Sequence, residues 1–261
     1  MKSKDDIASH KGRAVHTLDS LLDKYIENEN SAYLKKADLI SYWLEEFSKY
    51  IEQEEDFDPG RIIRYKRGNV IRVNFGFRVG AEFGGLHYAV VIENQNDHKS
   101  KVITVVPLSS TDGKRIRSEN VDLGTELYQK VRNVQAHLAE SLNAELTEVL
   151  SIKESFDTLV QNSSEHPEHI QETLLMLNDK IDRLEKASNH LKRYTKEIER
   201  MKSGSQAIMN QIITVSKQRI YVPKRSEDFL YGVSLSPSAM DKINEKLKER
   251  FIGRLKSKVP V

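Results

Sequence analysis

The chain contains no cysteine among its 261 residues. A disulfide framework and a zinc–thiolate site are therefore excluded. Long apolar runs are missing as well: none approaches the length of a membrane span, and Met1-Lys2-Ser3-Lys4 leads into no signal-peptide core. These lacks set the expectation of a soluble, cytoplasmic protein that crosses no membrane. Charge of one sign is also lacking, because 41 Lys and Arg against 39 Asp and Glu leave a formal net charge of +2. No global basic bias announces a polyanionic partner, so any such site must come from a local patch. What is present is charge of both signs, 31% of residues, a fraction that points to long solvated helices. The 38% of hydrophobic residues suffices for a sizeable core, and the length is compatible with one or two domains.

The most informative stretch runs from Arg67 to Ile92. Val70, Arg72 and Asn74 alternate with Ile71, Val73 and Phe75, the period of a half-buried strand. Gly76, Gly80, Gly84 and Gly85 then break the pattern, supplying positive-φ positions or close backbone approach in a loop. Tyr88 to Ile92 is an apolar run fit for a buried strand. A third strand, Val102 to Leu108, ends in Pro107-Leu108-Ser109-Ser110. His87 and Ser109 are thereby expected at neighbouring strand ends, where sites are often built on rigid β scaffolds.

Helical periodicity governs the rest. Leu18, Leu21, Leu22, Tyr25 and Ile26 share one face, and Leu39, Ile40, Trp43, Leu44, Phe47 and Ile51 form a second stripe. Asn30-Ser31 reads as the break between them and Pro59-Gly60 as a boundary. From Thr125 to Met201, Leu127, Val131, Val134, Leu138, Leu142, Leu146 and Val149 repeat in steps of four and three. After an interruption at Asn162 to Pro167, a heptad register runs through Ile170, Leu174, Leu177, Ile181, Leu184, Ser188, Leu191, Thr195 and Ile198. The pattern predicts an antiparallel coiled-coil hairpin. Its arms of about 35 residues would project about 50 Å at a helical rise of about 1.5 Å per residue. Ser203-Gly204-Ser205 reads as a flexible return, Gln206 to Ile220 as a strand, and Tyr221 to Gly232 as a loop or hairpin. Ser236-Pro237 starts a helix with Met240, Ile243, Leu247, Phe251 and Leu255 on one face.

Two blocks resemble the MazF/PemK family of toxin endoribonucleases. The first holds Arg67-Gly68-x-Val70, Gly80-x-Glu82-x-Gly84-Gly85 and Val105-Val106-Pro107-Leu108-Ser109-Ser110. The second is Gln211-Ile212-Ile213-Thr214-Val215-Ser216-Lys217-Gln218-Arg219-Ile220, followed by a terminal helix. The resemblance implies an α+β fold: a small SH3-like β-barrel with a terminal helix, interrupted by the coiled-coil hairpin and preceded by a helical region. The expected layout is residues 1–60 as the N-terminal helical region, 61–125 as the first part of the barrel, 126–201 as the hairpin insertion, and 202–261 as the second part with the C-terminal helix.

The family's chemistry implies cleavage of single-stranded RNA without a metal or cofactor, by attack of the ribose 2′-OH on the adjacent phosphate. Such a reaction needs a group to take the 2′-proton, a group to donate to the leaving oxygen, and donors for the phosphorane charge. By motif, the family's Arg after the Gly-Gly pair falls on His87, and its hydroxyl residue ending the third strand falls on Ser109. Arg serves as a fixed charge, whereas His titrates near about 6.5 and can act as acid or base. His87 can therefore keep an acid role, take a base role, or mark a site that binds RNA without cutting it. Glu82 occupies the loop carboxylate position, as a backbone or Arg partner or as a base. Ile208, Asn210 and Ile213 stand where some members carry Arg, Asp and Arg. Arg67, Arg72, Arg78, Lys114, Arg115 and Ser110 are candidate phosphate contacts, the basic ones having a solvated, charge-balancing surface as their alternative reading. Phe77 and Phe83 are candidates for stacking on unpaired bases. The functional expectation is a toxin-like endoribonuclease with single-stranded RNA as substrate, a homodimeric state and an antitoxin protein as partner. The alternative is a catalytically reduced RNA- or protein-binding module working through its coiled-coil arm. Leu150, Phe156, Leu159 and Val160 near the arm's tip support a homodimer independently, as apolar residues beyond what a two-helix seam needs.

Overall fold

The alternation of helix-period and strand-period segments resolves, in a computed structural model, into an α+β fold. Residues 2–111, 113, 115–161 and 167–253 are described. Lys114, the interruption at Asn162 to His166, and Leu255 lie outside the described residues. The chain divides into two compact units, Met1–Asp58 with Asn74–Leu86, and Pro59–Val73 with His87–Val261. Among the described residues no helix is long and apolar enough to cross a membrane.

The first unit is a helix pair and a loop. Helix α1, Lys4–Ile26, starts at a capping box in which the Ser3 hydroxyl accepts from the Asp6 amide and the Asp6 carboxylate accepts from the Ser3 amide. Helix α2, Ser31–Glu52, starts where the Asn30 side chain accepts from the Ala32 amide at 2.9 Å. Tyr25 and Tyr33 pack ring to ring at 5.1 Å between the two. The loop 74–86 closes on itself: the Phe75 amide donates to the Gly85 carbonyl and the Gly85 amide to the Gly76 carbonyl, both at 2.8 Å. Gly76 has φ of 75°, and a Cβ there would lie 2.6 Å from the Trp43 ring of α2. Only glycine meets both demands.

In the second unit a seven-stranded antiparallel sheet runs in the order β4-β5-β3-β2-β1-β7, with β6 also paired to β3. The strands are β1 Val70–Asn74, β2 Leu86–Val91, β3 Val102–Ser110, β4 Val121–Gly124, β5 Ser205–Ala207, β6 Ile213–Ser216 and β7 Ile220–Val222. β1 and β2 are covalently shared with the first unit at Asn74 and Leu86. The expected single strand from Gln206 to Ile220 is in fact three short strands separated by 3₁₀ turns. β7 pairs with β1, and the break between β5 and β6 follows from β3, which continues through Pro107 to Ser110. Its first half pairs with β6, as in Val105 opposite Ile213, and its second half with β5, as in Leu108 opposite Ala207. Pro107 falls between these registers, where its missing N–H leaves no ladder bond unmade. Its carbonyl accepts from the Ile208 amide at 2.9 Å. The path from β4 to β7 is described without a pairing that joins its two ends.

Helices α3, Glu126–Gln161, and α4, Pro167–Glu199, run antiparallel. Gln135 donates to Thr195 at 2.8 Å and, farther out, Lys180 pairs with Glu148 at 2.6 Å, so positions rise on one helix as they fall on the other. Leu127, Val131, Tyr194 and Ile198 at the root join a core with Val106, Leu108, Leu230 and Ile243. Farther out, Leu177 is buried while Leu146, Leu174 and Ile181 are exposed. Tyr194 fills the root seam where the heptad register places Leu191 and Thr195. Its ring lies 4.7 Å from Phe229, and its hydroxyl accepts from the Leu230 amide at 3.3 Å. Helix α5, Pro237–Leu247, is capped by Ser236, whose side chain accepts from the Ala239 amide and donates to the Glu126 carboxylate at 2.9 Å. The first residue of α3 thus anchors the start of α5.

Candidate active site

The sheet brings His87 and Ser109 together. β2 and β3 pair with Ala89 opposite Pro107. Carried two residues further along both strands, this register takes His87 and Ser109 to the same end of the pair. Both are half-buried. They line one cleft of about 170 Å³. Tyr88 and Ser110 line it from the same strands, and Leu127 and Tyr128 from the start of α3. The remaining wall is the connection from α4 to β5, through Arg200, Met201, Lys202, Gly204 and Ser205. The volume is below the ~300–1,000 Å³ of drug-sized ligand pockets.

That wall is tightly held. The Arg200 and Met201 amides donate back to the Glu197 and Ile198 carbonyls, at 3.3 and 2.9 Å, and end α4 in a tight turn. The Thr111 amide donates to the Gly204 carbonyl at 3.0 Å, tying the connection to the end of β3. A Cβ on Gly204 would collide with the Thr111 hydroxyl. Ser205, 8% exposed, opens β5, yet its hydroxyl has no hydrogen-bond partner among the described residues. The Ser109 hydroxyl makes a long contact of 3.4 Å, to the Ser110 carbonyl.

The basic candidates divide between the two units and among several partners. Arg72 on β1 is held by Glu197 of α4 at 2.9 Å, and its guanidinium lies 5.8 Å from the Tyr88 ring and 5.7 Å from that of Tyr221. Burial raises the Tyr88 phenol to about 12, with Arg72 pulling it down and Glu197 pushing it up. Arg67 donates to the Asn244 side chain of α5. Arg115 lines a second depression of about 290 Å³ with Arg117, Asn120 and Gln206, which shares Ser109 and Ser110 with the first. Lys114 lies outside the described residues. Glu82, Phe77, Arg78 and Phe83 belong to the loop of the first unit. There Arg78 donates to the Phe75 carbonyl at 2.9 Å, and Phe83 meets Phe75 edge-on at 5.7 Å. Among the described residues no three His, Asp or Glu side chains converge as metal ligands.

Sequence reasoning missed Arg200, Lys202, Tyr128 and Ser205. The available signal was a pair of basic residues flanking a methionine just before the Ser-Gly-Ser return. Residues 66–174 match the family model described as the PemK-like, MazF-like toxin of type II toxin-antitoxin systems. The resemblance read from the Arg67-Gly68 and Ser109-Ser110 motifs therefore stands over that span. The matched span includes His87 and Ser109 and runs through α3 into α4. It stops short of the second block, although β5 and β6 of that block pair with β3. A search of the curated proteins found no match.

Proposed function

We propose that this chain, through the domain matched to PemK-like, MazF-like toxins, is a toxin-like endoribonuclease that cleaves single-stranded RNA without a metal ion. The observation behind the reading is the shared cleft of His87 and Ser109 within the matched span. In the reaction the ribose 2′-oxygen bonds to phosphorus and the bond from phosphorus to the 5′-oxygen breaks. The 2′-proton goes to a base and a proton is delivered to the leaving 5′-oxygen. The products are a cyclic phosphate and a 5′-hydroxyl. His87 is the proton carrier and Ser109 a donor to the charged phosphorane oxygens. Glu82 keeps a supporting part in its own loop.

The test is incubation of purified protein with mixed single-stranded RNA in EDTA. Wild type cuts, and His87→Ala slows cutting by about 10²–10⁴-fold, the usual contribution of a positioned acid or base. Equal cutting by His87→Ala overturns the assignment. The same reading includes the four-part layout at 1–60, 61–125, 126–201 and 202–261, closure of the strands into a barrel, a cytoplasmic location, an antitoxin partner, and a homodimer. Sedimentation equilibrium checks the last: a monomer at micromolar concentration overturns it.

A second reading, a non-cutting interaction module, draws on the exposed seam residues Leu146, Leu174 and Ile181 and on Ile208, Asn210 and Ile213. RNA affinity without any turnover favours it.

A further inference from the structure

We infer that the end of the helical arm completes the RNA site: Arg200 and Lys202 bind the phosphodiester that His87, standing where the family has Arg, cannot clamp as a fixed cation. This deepens the reading above and rests on it. Three observations carry it. First, among the described residues the cleft has no acidic lining residue, and its cations are Arg200 and Lys202 beside His87.

Second, the nearest sheet guanidinium is already engaged. Arg72 takes one carboxylate oxygen of Glu197 at 2.9 Å and does not line the cleft. Arg200 reaches the other oxygen of Glu197 only at 3.9 Å, with 64% of its side chain exposed. Glu197 thus holds Arg72 firmly and Arg200 loosely, leaving the latter able to turn its planar fork onto two phosphate oxygens. Lys202 adds a point charge two residues on, with Met201, partly buried against the core, between them.

Third, the buried Ser205 hydroxyl on the same wall has no partner among the described residues. Buried hydroxyls almost always find one, and a turn of the Ser205 side chain toward the cleft it lines would offer a phosphate or ribose oxygen as that partner. The backbone that presents these groups is tied down, by the Thr111–Gly204 bond at one end and the last turn of α4 at the other. The arm is then a structural part of the nucleic-acid site through its root, whatever its tip contacts.

The experiment uses the full chain and a 2′-O-methyl single-stranded RNA of mixed sequence, which binds but offers no nucleophile. Affinity is measured across a salt series. Arg200→Ala with Lys202→Ala weakens binding by about tenfold or more per lost charge-assisted contact. The pair also makes the dependence of log affinity on log salt shallower by about 1.4, at about 0.7 per phosphate contact on a single strand. Arg200→Lys restores the salt slope while recovering only part of the affinity, because the two-oxygen geometry is lost. Ser205→Ala leaves the melting temperature unchanged, since no protein bond is removed, and lowers affinity severalfold. Unchanged affinity and slope in the double variant overturn the inference. If His87→Ala still abolishes cutting of ordinary RNA in that case, the catalytic reading survives without it. Tight binding with the expected slopes but no cutting by wild type sinks the catalytic reading and leaves the cationic wall standing. Absence of wild-type binding overturns both.

Discussion

Two helix pairs in this chain carry apolar stripes of comparable regularity, and they end differently. In α1 no residue is buried, and in α2 only Ala37 and Ile40 are. In α3 and α4 the stripe residues nearest the sheet are buried, among them Leu127, Val131 and Ile198, together with Tyr194. Periodicity selects which residues share a face. Whether that face leaves water depends on what lies opposite it. The root of α3–α4 has β4, α5 and the 229–235 segment to pack against. In the first unit, α1 and α2 have each other and the 74–86 loop.

The comparison breaks most visibly at tyrosine. Tyr194→Ala removes a ring packed on Phe229 and leaves the Leu230 amide without its acceptor, so we expect a loss of about 3–5 kcal/mol in chemical denaturation. Tyr42→Ala, at a residue 68% exposed, should stay within about 0.5 kcal/mol of wild type. Equal losses would show that α2 is as well packed as the arm's root. Within the arm itself, Leu127→Ala should cost about 2–5 kcal/mol and Leu146→Ala at most about 1, read as shifts of the denaturation midpoint. A large effect at Leu146 would mean that the outer arm has a partner in solution.

Gly76→Ala sharpens the other side. It introduces a Cβ at positive φ against the Trp43 ring, and the expected cost is about 1–3 kcal/mol. Quenching or shift of the fluorescence of this one tryptophan would report the change in the first unit directly. No change in either stability or emission would remove Trp43–Gly76 as that unit's fixed point.

The smallest effect is alkaline. Burial raises the phenols of Tyr65, Tyr88 and Tyr194, all in the second unit, Tyr88 to about 12. A raised acid binds its proton more tightly when folded. Its contribution is complete below the unfolded value of about 10 and is lost as pH climbs through the folded one. Ultraviolet titration should show these phenols ionising late, and Tyr88→Phe should reduce the stability lost between about pH 10 and 12. A titration in which all ten tyrosines ionise together would contradict that burial.

Much of the fold was legible because its signals are local. Alternation from Val70 to Phe75, the glycines after it, and Ser236-Pro237 each speak for their own segment. The α+β class and the toxin-family span follow from such signals. Tyr194 was not legible in the seam, because a heptad template selects Leu191 and Thr195 and a phenol enters only when its hydroxyl has a partner. The break between β5 and β6 is set by the register change on β3, more than ninety positions earlier in the chain, and β7 leaves β3 to pair with β1. His87 and Ser109 could be paired from sequence because their strands are neighbours in it. Arg200, Lys202 and Ser205 could not, since only the folded sheet returns them to Ser109. The Ser-Gly-Ser return reads as flexible, yet Gly204 is bonded to Thr111 and Ser205 is in strand.

The split pairing of β3 also orders events during synthesis. Its partners β5 and β6 lie beyond both arm helices, so β3 leaves the ribosome long before either exists. At about 5–20 residues per second, the intervening stretch takes about 5–20 s to make. Throughout that interval the wall formed by residues 200–205 has not been synthesised. A nascent chain therefore carries His87 and Ser109 without the cleft they share, and whatever the cleft does is withheld until translation has passed the arm.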